Sequence, residues 1–418
     1  MRRNVRKLHV LTLRTSLRYS KAFYRNSQSF PNLKTYIQHK NNNVMFRKIL
    51  MFTVVALAFA ACNDDDTIDD GGNERPGDNT SYPERLYVLC EGLMGSNQSS
   101  IDCYDFATGT YQRSAYVQAN PNVVLELGDV GNDIQQYGGS LWAVINGSNK
   151  VEVMDVSTLR RRGQVDIPNC RCVAFDGGYA YVTSYAGPVD DADGGQRGYV
   201  AKVDTATLSV VDTLHVGRQP EGLAVVDGKL YVVNSGGYCM PAYENTLSVI
   251  DLSDFSTRKT LPVAVNMQRI LVDAQGMLWV NATGNYGDIA PSLCRVDPKS
   301  EQVTTLDLPV AAMTIQGDSL YIVSHQWDFV LNKGVPASAV VDVRKAAIVS
   351  SQMVDPAVLE GMSPYGVAVH PSTHDIFVSD AGDYVSPGTL YCFGSDGALK
   401  WDVRTGNIPG HLLIVSGK

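Results

Sequence analysis

The sequence predicts an all-β fold, a seven-bladed β-propeller, on three observations. A short aromatic strand motif recurs seven times, its copies lie 39 to 56 residues apart, and six of the copies are followed by a strand that ends in Asp. Such a period, with about four short strands per copy, is typical of propellers. The even spacing argues against a β-sandwich or jelly roll, and a six-bladed ring would leave one copy unexplained.

The clearest copy runs from Gly217 to Leu252. An apolar strand, Gly222–Val226, leads into a tight turn at Asp227 and Gly228, and an aromatic strand follows. Asp-Gly between two β-rich runs is a strong hairpin signal. A long polar loop then precedes a third strand that ends at Asp251. The recurring aromatics are Tyr87, Trp142, Tyr181, Tyr231, Trp279, Tyr321 and Phe377, and the recurring acids are Asp105, Asp155, Asp204, Asp251, Asp297 and Asp342, with Gly394 in the seventh copy.

The two ends of the repeat region predict how the ring closes. The first copy begins at its second strand, Glu84–Leu89, and the chain ends in an unpartnered apolar strand, Leu412–Val415. We expect this C-terminal strand to complete the first blade, because closure removes open sheet edges. The propeller is therefore predicted to occupy 84–418 as one domain.

Residues 45–61 have the pattern of a bacterial lipoprotein signal peptide. Arg47 and Lys48 precede a 13-residue apolar run, which is shorter than the roughly 20 residues that span a bilayer. The run ends in small residues before Cys62, the expected lipidation site. A signal peptide that is cut without lipidation is the alternative. Since the basic residues 1–44 precede an intact signal, we expect translation to start at Met45, with a mitochondrial transit peptide as the alternative.

The region after the signal peptide is strongly acidic. Residues 62–83 have the composition of a flexible acidic tether, which resembles the surface-export signal of certain Gram-negative lipoproteins. Residues 1–61 hold 12 of the 35 Lys and Arg and none of the 43 Asp and Glu, so the rest of the chain carries a net charge of −20. This charge argues against nucleic acid and anionic lipid as partners. We expect the protein to be attached to the membrane through its lipid anchor.

The sequence offers few enzyme or metal signatures. Seven cysteines remain besides Cys62, an odd number for a complete disulfide framework, which favours buried free thiols. Asp190, Asp191 and Asp193 could hold Ca²⁺, but no EF-hand spacing follows them, so a solvated loop is favoured. Nucleophile motifs, P-loops and dinucleotide fingerprints do not occur in a credible context. We therefore expect no metal site and no enzymatic activity.

Polar and aromatic residues collect in two sets of loops that open on the same face of a propeller. Loops between second and third strands place Tyr or Trp beside Gly, Asn or Asp in five of the seven copies, and loops before first strands add polar groups nearer the axis. Aromatic rings with amide tips suit a large, amphipathic, mostly uncharged ligand. The alternative is that each Tyr packs only against its own blade. The predicted ligand-binding residues are Asn132, Asp133, Asn169, Arg171, Tyr185, Gln219, Tyr238, Asn266, Arg269, Tyr286, Trp327, Tyr365, Asp380, Tyr384 and His411.

Several of these loops resemble those of the BtuG-like surface lipoproteins, which capture cobalamin and form a branch of the YncE-like propellers. The resemblance covers about 84–418, and its most specific segments are GDVGNDIQ, within 126–135, and DYVSPGTLYCF, within 380–393. Cys90 departs from the family, which more often has Asn at that position.

The resemblance implies a lipid-anchored protein on the exterior of the outer membrane that captures cobalamin and related corrinoids. Such proteins pass the ligand to a TonB-dependent transporter on which they sit as a lid. Cobalamin is then a transported ligand, and no cofactor is implied; Arg171 and Arg269 are candidates for its phosphate. A generic YncE-like propeller with another ligand or a protein partner remains open. So does a propeller lyase or lactonase, for which Glu221 and His411 are the only candidates to approach the axis.

Overall fold

The computed structural model describes residues 82–123, 127–188, 196–328 and 332–415, all within one compact unit, Gly71–Lys418. The predictions for 1–44, 45–61, Cys62 and nearly all of the tether lie outside these residues. The acidic loop of Asp190, Asp191 and Asp193 lies outside them as well. Within the described ranges, no helix is long and apolar enough to cross a membrane.

Seven four-stranded antiparallel sheets form the blades of a seven-bladed β-propeller, as the sequence predicts. Blades 1 and 2 contain β1 (Arg85–Cys90), β2 (Ser100–Asp105), β3 (Thr110–Gln112), β4 (Gly131–Tyr137), β5 (Ser140–Ile145), β6 (Lys150–Asp155) and β7 (Arg161–Asp166). Blades 3 and 4 contain β8 (Cys170–Asp176), β9 (Tyr179–Ser184), β10 (Tyr199–Asp204), β11 (Ser209–His215), β12 (Pro220–Val226), β13 (Lys229–Asn234), β14 (Thr246–Asp251) and β15 (Ser256–Pro262). Blades 5 and 6 contain β16 (Met267–Val272), β17 (Leu278–Ala282), β18 (Ser292–Val296), β19 (Val303–Leu306), β20 (Ala312–Gln316), β21 (Ser319–Asp328), β22 (Lys333–Asp342) and β23 (Ala347–Ser350). Blade 7 contains β24 (Pro364–Val369), β25 (Ile376–Asp380), β26 (Pro387–Phe393) and β27 (Leu399–Asn407), and β28 (Pro409–Val415) ends the described chain.

The C-terminal strand closes the ring, which confirms the prediction made from the two ends of the repeat region. β28 pairs antiparallel with β1 and becomes the first strand of blade 1, with Leu412 opposite Val88 and Ile414 opposite Leu86. β28 also packs against β24 of blade 7 and β4 of blade 2. One strand thus joins the last blade to the first two.

The recurring aromatic residues fill the spaces between neighbouring blades. Tyr87 is fully buried and packs with Leu141 and Ile145 of blade 2, and Trp142 in turn packs with Val173 of blade 3. A large ring at the same strand position of each copy therefore seals one blade against the next. Blade 6 departs from this rule, because Tyr321 is only half-buried.

The recurring Asp at the end of each third strand holds the turn that follows. In blade 2, for example, Asp155 Oδ1 accepts hydrogen bonds from the backbone N–H groups of Ser157, at 3.0 Å, and Thr158, at 2.8 Å. Carboxylates in such turns replace the backbone acceptors that the bend removes. In blade 7, where Gly394 stands in place of Asp, Asp396 two residues later accepts from Ala398 N–H.

Two features of the fold bear on the remaining predictions. The seven described cysteines are all buried and unpaired, which confirms the expectation of free thiols. The prediction of a loop around Trp327 is wrong, because residues 324–328 extend β21 and pair with β22 in a long hairpin. The described residues also contain two short helices, α1 (Ala115–Ala119) and α2 (Pro356–Leu359).

Candidate ligand-binding cavity

A cavity of about 900 Å³ lies at the centre of the ring, with side chains from all seven blades in its wall. Its volume falls in the upper part of the range that holds small-molecule ligands in proteins. The wall is formed by the first strand of each blade, and the loops above these strands form its rim. The repeat therefore builds one shared site, to which each copy contributes a few residues.

β-bulges turn polar side chains towards this cavity. The register shifts in the first strand of six blades, between Gly131 and Asp133 in β4 for example, whereas β20 of blade 6 pairs with β21 without a shift. A bulge places an extra residue in the strand and redirects its side chain, and bulges concentrate next to functional sites. We call the cavity-lining residues at these bulges the polar tier: Asn132, Asp133, Arg171, Cys172, Glu221, Gln268, Arg269, Tyr365 and His411.

An apolar residue occupies the next position along the first strand in every blade, including blade 6, which has no residue in the polar tier. We call this second ring the apolar tier, and its members line the deeper part of the cavity: Ile134, Val173, Leu223, Ile270, Met313, Val367 and Leu412. The wall is therefore amphipathic, with polar groups nearer the rim and hydrocarbon beneath them. Polar groups at such a site fix the orientation of a ligand, while the apolar wall supplies most of the buried area.

On one side of the cavity, Arg171 forms a bidentate ion pair with Glu221. Arg171 Nε and Nη2 donate to the two carboxylate oxygens at 3.0 and 3.2 Å, and the Tyr185 hydroxyl donates to the same carboxylate. The guanidinium also lies 4.9 Å from the centroid of the Tyr185 ring. Burial alone would lower the pKa of Arg171, but the negative charge of Glu221 outweighs it and raises that pKa well above its ordinary value. Arg171 is thus always positively charged, and the carboxylate of Glu221 neutralises that charge within the protein.

On the other side, Arg269 donates to neutral acceptors. Its Nη2 lies 2.9 Å from the backbone oxygen of Asn132 and 3.1 Å from His411 Nδ1, and its Nη1 lies 3.1 Å from Cys172 Sγ. The nearest carboxylate oxygen, in Asp133, is 3.9 Å away and accepts hydrogen bonds from other groups. About a third of the Arg269 side chain is exposed, all of it in a recess that protein surrounds.

His411 is neutral at neutral pH because of its surroundings. Burial lowers its pKa below the ordinary value, and the positive charge of Arg269 lowers it further, against a smaller opposing effect of Glu91, whose Oε1 lies 3.6 Å from Nε2. Burial and the Glu91 carboxylate likewise raise the pKa of Tyr365, so its hydroxyl stays protonated. Both side chains therefore add neutral polar groups to the cavity wall, where Arg269 and Glu91 are their partners.

Exposed tyrosines stand above the polar tier. Tyr238, Tyr286 and Tyr384 are 59%, 74% and 40% exposed, and all three line the cavity. Each ring meets a second tyrosine edge to face, and the centroid distances are 5.6–6.4 Å for the pairs Tyr185–Tyr238, Tyr243–Tyr286 and Tyr365–Tyr384. The less exposed partner holds the exposed ring in place, which lowers the entropy lost when a ligand is bound.

The structure brings most of the predicted site residues together around the cavity, in different roles. Tyr185 is buried and belongs to the ion-pair network of Glu221 rather than to the exposed rim. The amide of Asn169 donates to Gly187 O and accepts from Asn146, and that of Asn266 accepts from Gln268, so both side chains orient other parts of the wall. The predicted residues that line the cavity are Asn132, Asp133, Asn169, Arg171, Tyr185, Tyr238, Asn266, Arg269, Tyr286, Tyr365, Tyr384 and His411.

Three predicted residues do not line the cavity. Gln219 Oε1 accepts a hydrogen bond from the backbone N–H of Tyr238 at 2.6 Å and so holds the loop that carries Tyr238. Asp380 accepts the N–H groups of Ser363 and Gly382, which fixes the loop beneath Tyr384. Trp327 lies near the end of the β21–β22 hairpin, exposed and away from the cavity wall. For these residues, position in a polar loop did not reveal the direction of the side chain.

Sequence reasoning did not assign Glu91, Met94 and Cys172 to the site. Glu91 follows β1 directly and faces His411, while Met94 is largely exposed at the rim. The signal for Glu91 was its place four residues after the recurring aromatic, where the copies in blades 2 and 4 carry the uncharged polar residues Asn146 and Ser235. Within the described residues, no group of three or more His, Cys, Asp or Glu is placed to hold a metal ion.

The fold and the cavity define a class of protein, a seven-bladed β-propeller with an amphipathic central cavity under exposed tyrosines. Residues 84–384 match the family described as "Domain of unknown function (DUF5074)", and the chain belongs to that family. No curated protein matches the chain.

Solved structures share the fold at low sequence identity. One is hydrazine synthase from Kuenenia stuttgartiensis, with a TM-score of 0.56, 16% identity, and coverage of 68% of this chain and 92% of that one. Another is a quinonprotein alcohol dehydrogenase-like protein from Bacteroides thetaiotaomicron, with a TM-score of 0.56, 12% identity, and coverage of 80% and 79%. A functionally unknown protein from Desulfotomaculum acetoxidans has a TM-score of 0.54, 11% identity, and coverage of 80% and 99%. At such identities the likeness concerns the fold alone.

Proposed function

We propose that this protein captures a large, amphipathic, nearly uncharged small molecule in its central cavity, and that the ligand is cobalamin or a related corrinoid. The observation that carries the proposal is the cavity of about 900 Å³ with polar and apolar tiers beneath exposed tyrosines. Cobalamin matches this wall chemically, since its edge alternates amides and methyl groups around an apolar ring. The resemblance of the rim loops to BtuG-like proteins favours cobalamin over other ligands of the same character.

The charges of the cavity support a ligand without large net charge. Glu91, Asp133 and Glu221 face Arg171 and Arg269, so the wall has no excess of positive charge to attract a free anion. Because both carboxylate oxygens of Glu221 already bind the Arg171 guanidinium, Arg171 is not placed to bind the phosphate of cobalamin in this proposal. Arg269 keeps that role in the proposal, since its hydrogen bonds go to neutral acceptors.

We further propose binding and transfer rather than catalysis, with a TonB-dependent outer-membrane transporter as the partner. The support for this step is the lipoprotein-like signal that ends at Cys62 and the acidic segment after it. Lipidation at Cys62 would tether the propeller to the outer membrane, where it faces the exterior and its rim meets the transporter. A generic propeller that binds another ligand or a protein partner is the alternative reading of the same fold.

Equilibrium binding of cyanocobalamin to the propeller, followed by absorbance or calorimetry, tests the proposal. We expect saturable binding at one site, and weaker binding by Arg269→Gln. A useful control is Arg258→Gln, which removes an exposed arginine from the outer strand β15. Failure to bind at micromolar cyanocobalamin rejects the corrinoid assignment and leaves the generic alternative.

A further inference from the structure

Blade 6 interrupts the polar tier of the cavity. Its first strand has no bulge, and the two residues at the corresponding position are Ala311 and Ala312. Every other blade presents at least one longer or polar side chain there, such as Arg269 in blade 5 or Tyr365 in blade 7. Ala311 and Ala312 therefore leave a gap in the polar tier at blade 6. A ligand group can reach the apolar tier through this gap.

The same sector is where the ring of first strands is most open. Neighbouring first strands pack side by side around the ring, except that β16 of blade 5 and β20 of blade 6 barely touch. All five residues of β20 are partly exposed, which no other first strand shows throughout its length. Side chains of Ile270, Leu271 and Met313 line the cavity on the two sides of this opening. Leu271 and Met313 pack on one side against the buried cluster around Trp279 and Ile322, and both remain partly exposed towards the cavity.

The β21–β22 hairpin lies on the same blade. Its extension beyond the regular blade length is confined to blade 6 among the described second and third strands. His325, on this extension, reaches the cavity wall and lies against Gly334, where a Cβ would meet the imidazole at 2.0 Å. The hairpin therefore places an imidazole at the edge of an otherwise apolar opening, and the lack of a side chain at Gly334 leaves room for it.

We propose that the cleft between β16 and β20 is a subsite for an aromatic or alkyl group of the ligand. Ala311 and Ala312 form its floor, and Leu271 and Met313 form its sides. A ligand that places its apolar group here presents its amides to the polar tier of blades 2 to 5, which fixes one orientation in the cavity. The identity of the ligand rests on the proposed function. The apolar character of the subsite is inferred only from the residues that line the cavity.

The test fills the cleft and measures two ligands separately. Ala311→Leu and Ala312→Leu add bulk, Ala311→Ser keeps the small size, and Ala347→Leu on the outer strand β23 of the same blade is the matched control. Titration with Nile red, a neutral apolar dye, reports on the cleft whatever the natural ligand is. Titration with cyanocobalamin reports on the proposed function. Thermal unfolding checks that each variant is folded.

We expect both leucine variants to weaken Nile red binding about tenfold or more, because a filled pocket excludes the group it had accommodated. Ala311→Ser and Ala347→Leu should stay within about twofold of the wild type. The leucine variants should weaken cyanocobalamin binding as well. Wild-type protein that does not bind Nile red, or leucine variants that bind it normally, would overturn the subsite. Normal Nile red results without any cyanocobalamin binding would instead reject the corrinoid assignment and keep the subsite.

Discussion

At the scale of single residues, the rim tyrosines show how the backbone is shaped around the cavity. Tyr286 and Tyr384 have φ angles of 56° and 59°, a conformation that bulky residues rarely adopt. Side-chain acceptors of Asn285 and Asp383 fix the turns around them by binding backbone N–H groups two to four residues on. The same left-handed conformation occurs in turns elsewhere in the fold, at Leu159 and Leu208 for example. In these two loops the turns hold exposed tyrosine rings at the cavity.

Substitution of one rim and one core tyrosine in the same blade separates binding from stability. Tyr238→Ala should weaken ligand binding with an unchanged unfolding midpoint, because its ring is mostly exposed. Tyr231→Ala should lower the free energy of unfolding by roughly 3–5 kcal/mol, since it removes a buried aromatic ring. Cyanocobalamin titration and urea denaturation measure the two effects, and Tyr238→Phe is the control that keeps the ring. Equal loss of stability in both alanine variants would contradict this division.

His411 should make the stability of the protein depend on pH. Its pKa in the folded state lies below the ordinary value of 6.5, so the unfolded chain takes up the proton first as the pH falls. The contribution of the neutral imidazole is therefore complete above about pH 6.5 and is lost as the pH falls below it, towards the folded-state pKa. The variant His411→Asn lacks this titration.

Urea denaturation between pH 5 and 8 measures this effect. The stability difference between wild type and His411→Asn should shrink as the pH decreases. His215→Asn, at an exposed position on β11, controls for the loss of any imidazole. A difference that stays constant over the whole pH range would show that His411 is not held neutral by Arg269 and burial.

At the scale of elements, the strands and their turns follow from local sequence. The aromatic motif and the terminal Asp each act within one or two neighbouring elements, so a single copy such as Gly217–Leu252 already contains the information for its own hairpin. The bulges depend instead on which strand pairs with which, and the Arg171–Glu221 pair joins blades 3 and 4. Sequence could therefore suggest which residues lie near the axis, but not which of them neutralise one another.

The hairpin of blade 6 shows a different limit of local reasoning. Residues 324–328 are polar and aromatic and read as a rim loop, yet they pair with 333–337 and continue the sheet. Val335 is β-branched and suits a strand, but Gly334 and Pro336 on either side of it are residue types that strands disfavour, so the local sequence indicated a loop. The direction of Trp327 could thus be known only from the pairing.

The Asp turns give a prediction that concerns the repeat. Asp204 Oδ1 accepts from the N–H groups of Thr207, at 2.8 Å, and Ala206, at 3.0 Å. The hydrogen bond from Thr207 N–H is the main reason that the pKa of Asp204 is below its ordinary value. Asp204→Ala should lower the free energy of unfolding by about 1 kcal/mol, and Asp204→Asn by less, because the amide oxygen still accepts.

The ionised carboxylate of Asp204 should stabilise the fold only above about pH 4. A lowered pKa in the folded state means that the carboxylate stabilises the fold above about pH 4, and that this contribution is lost as the pH falls through the folded-state pKa. Wild type should therefore exceed Asp204→Asn in stability at pH 7 and lose that advantage near pH 3. Denaturation curves at the two pH values measure the effect, and an equal advantage at both would contradict it.

At the scale of the whole molecule, the ring is held by a strand from the far end of the chain. β28 supplies the first strand of blade 1 and carries Leu412 and His411 into the cavity wall. The closure that joins the two ends of the propeller is therefore also part of the site. This coupling follows from the sequence, because the first copy lacks a first strand and the C-terminus has one to spare.

Removal of β28 tests both consequences of closure. A propeller truncated after Ile408 leaves β1 without its inner partner and exposes an edge that can pair with other chains. We expect such a protein to aggregate or to unfold at lower urea with a smaller dependence on denaturant, and to lose ligand binding because His411 is missing. A synthetic peptide of residues 409–415 should restore solubility and binding when added, whereas a peptide of the same composition in scrambled order should not. The rescue by the peptide should depend on its strand register. Leu412 must pair with Val88, and Ile414 with Leu86, so that their side chains join the hydrophobic cluster around Phe377. A truncated protein that keeps the wild-type midpoint would mean that the other six blades hold the ring without closure.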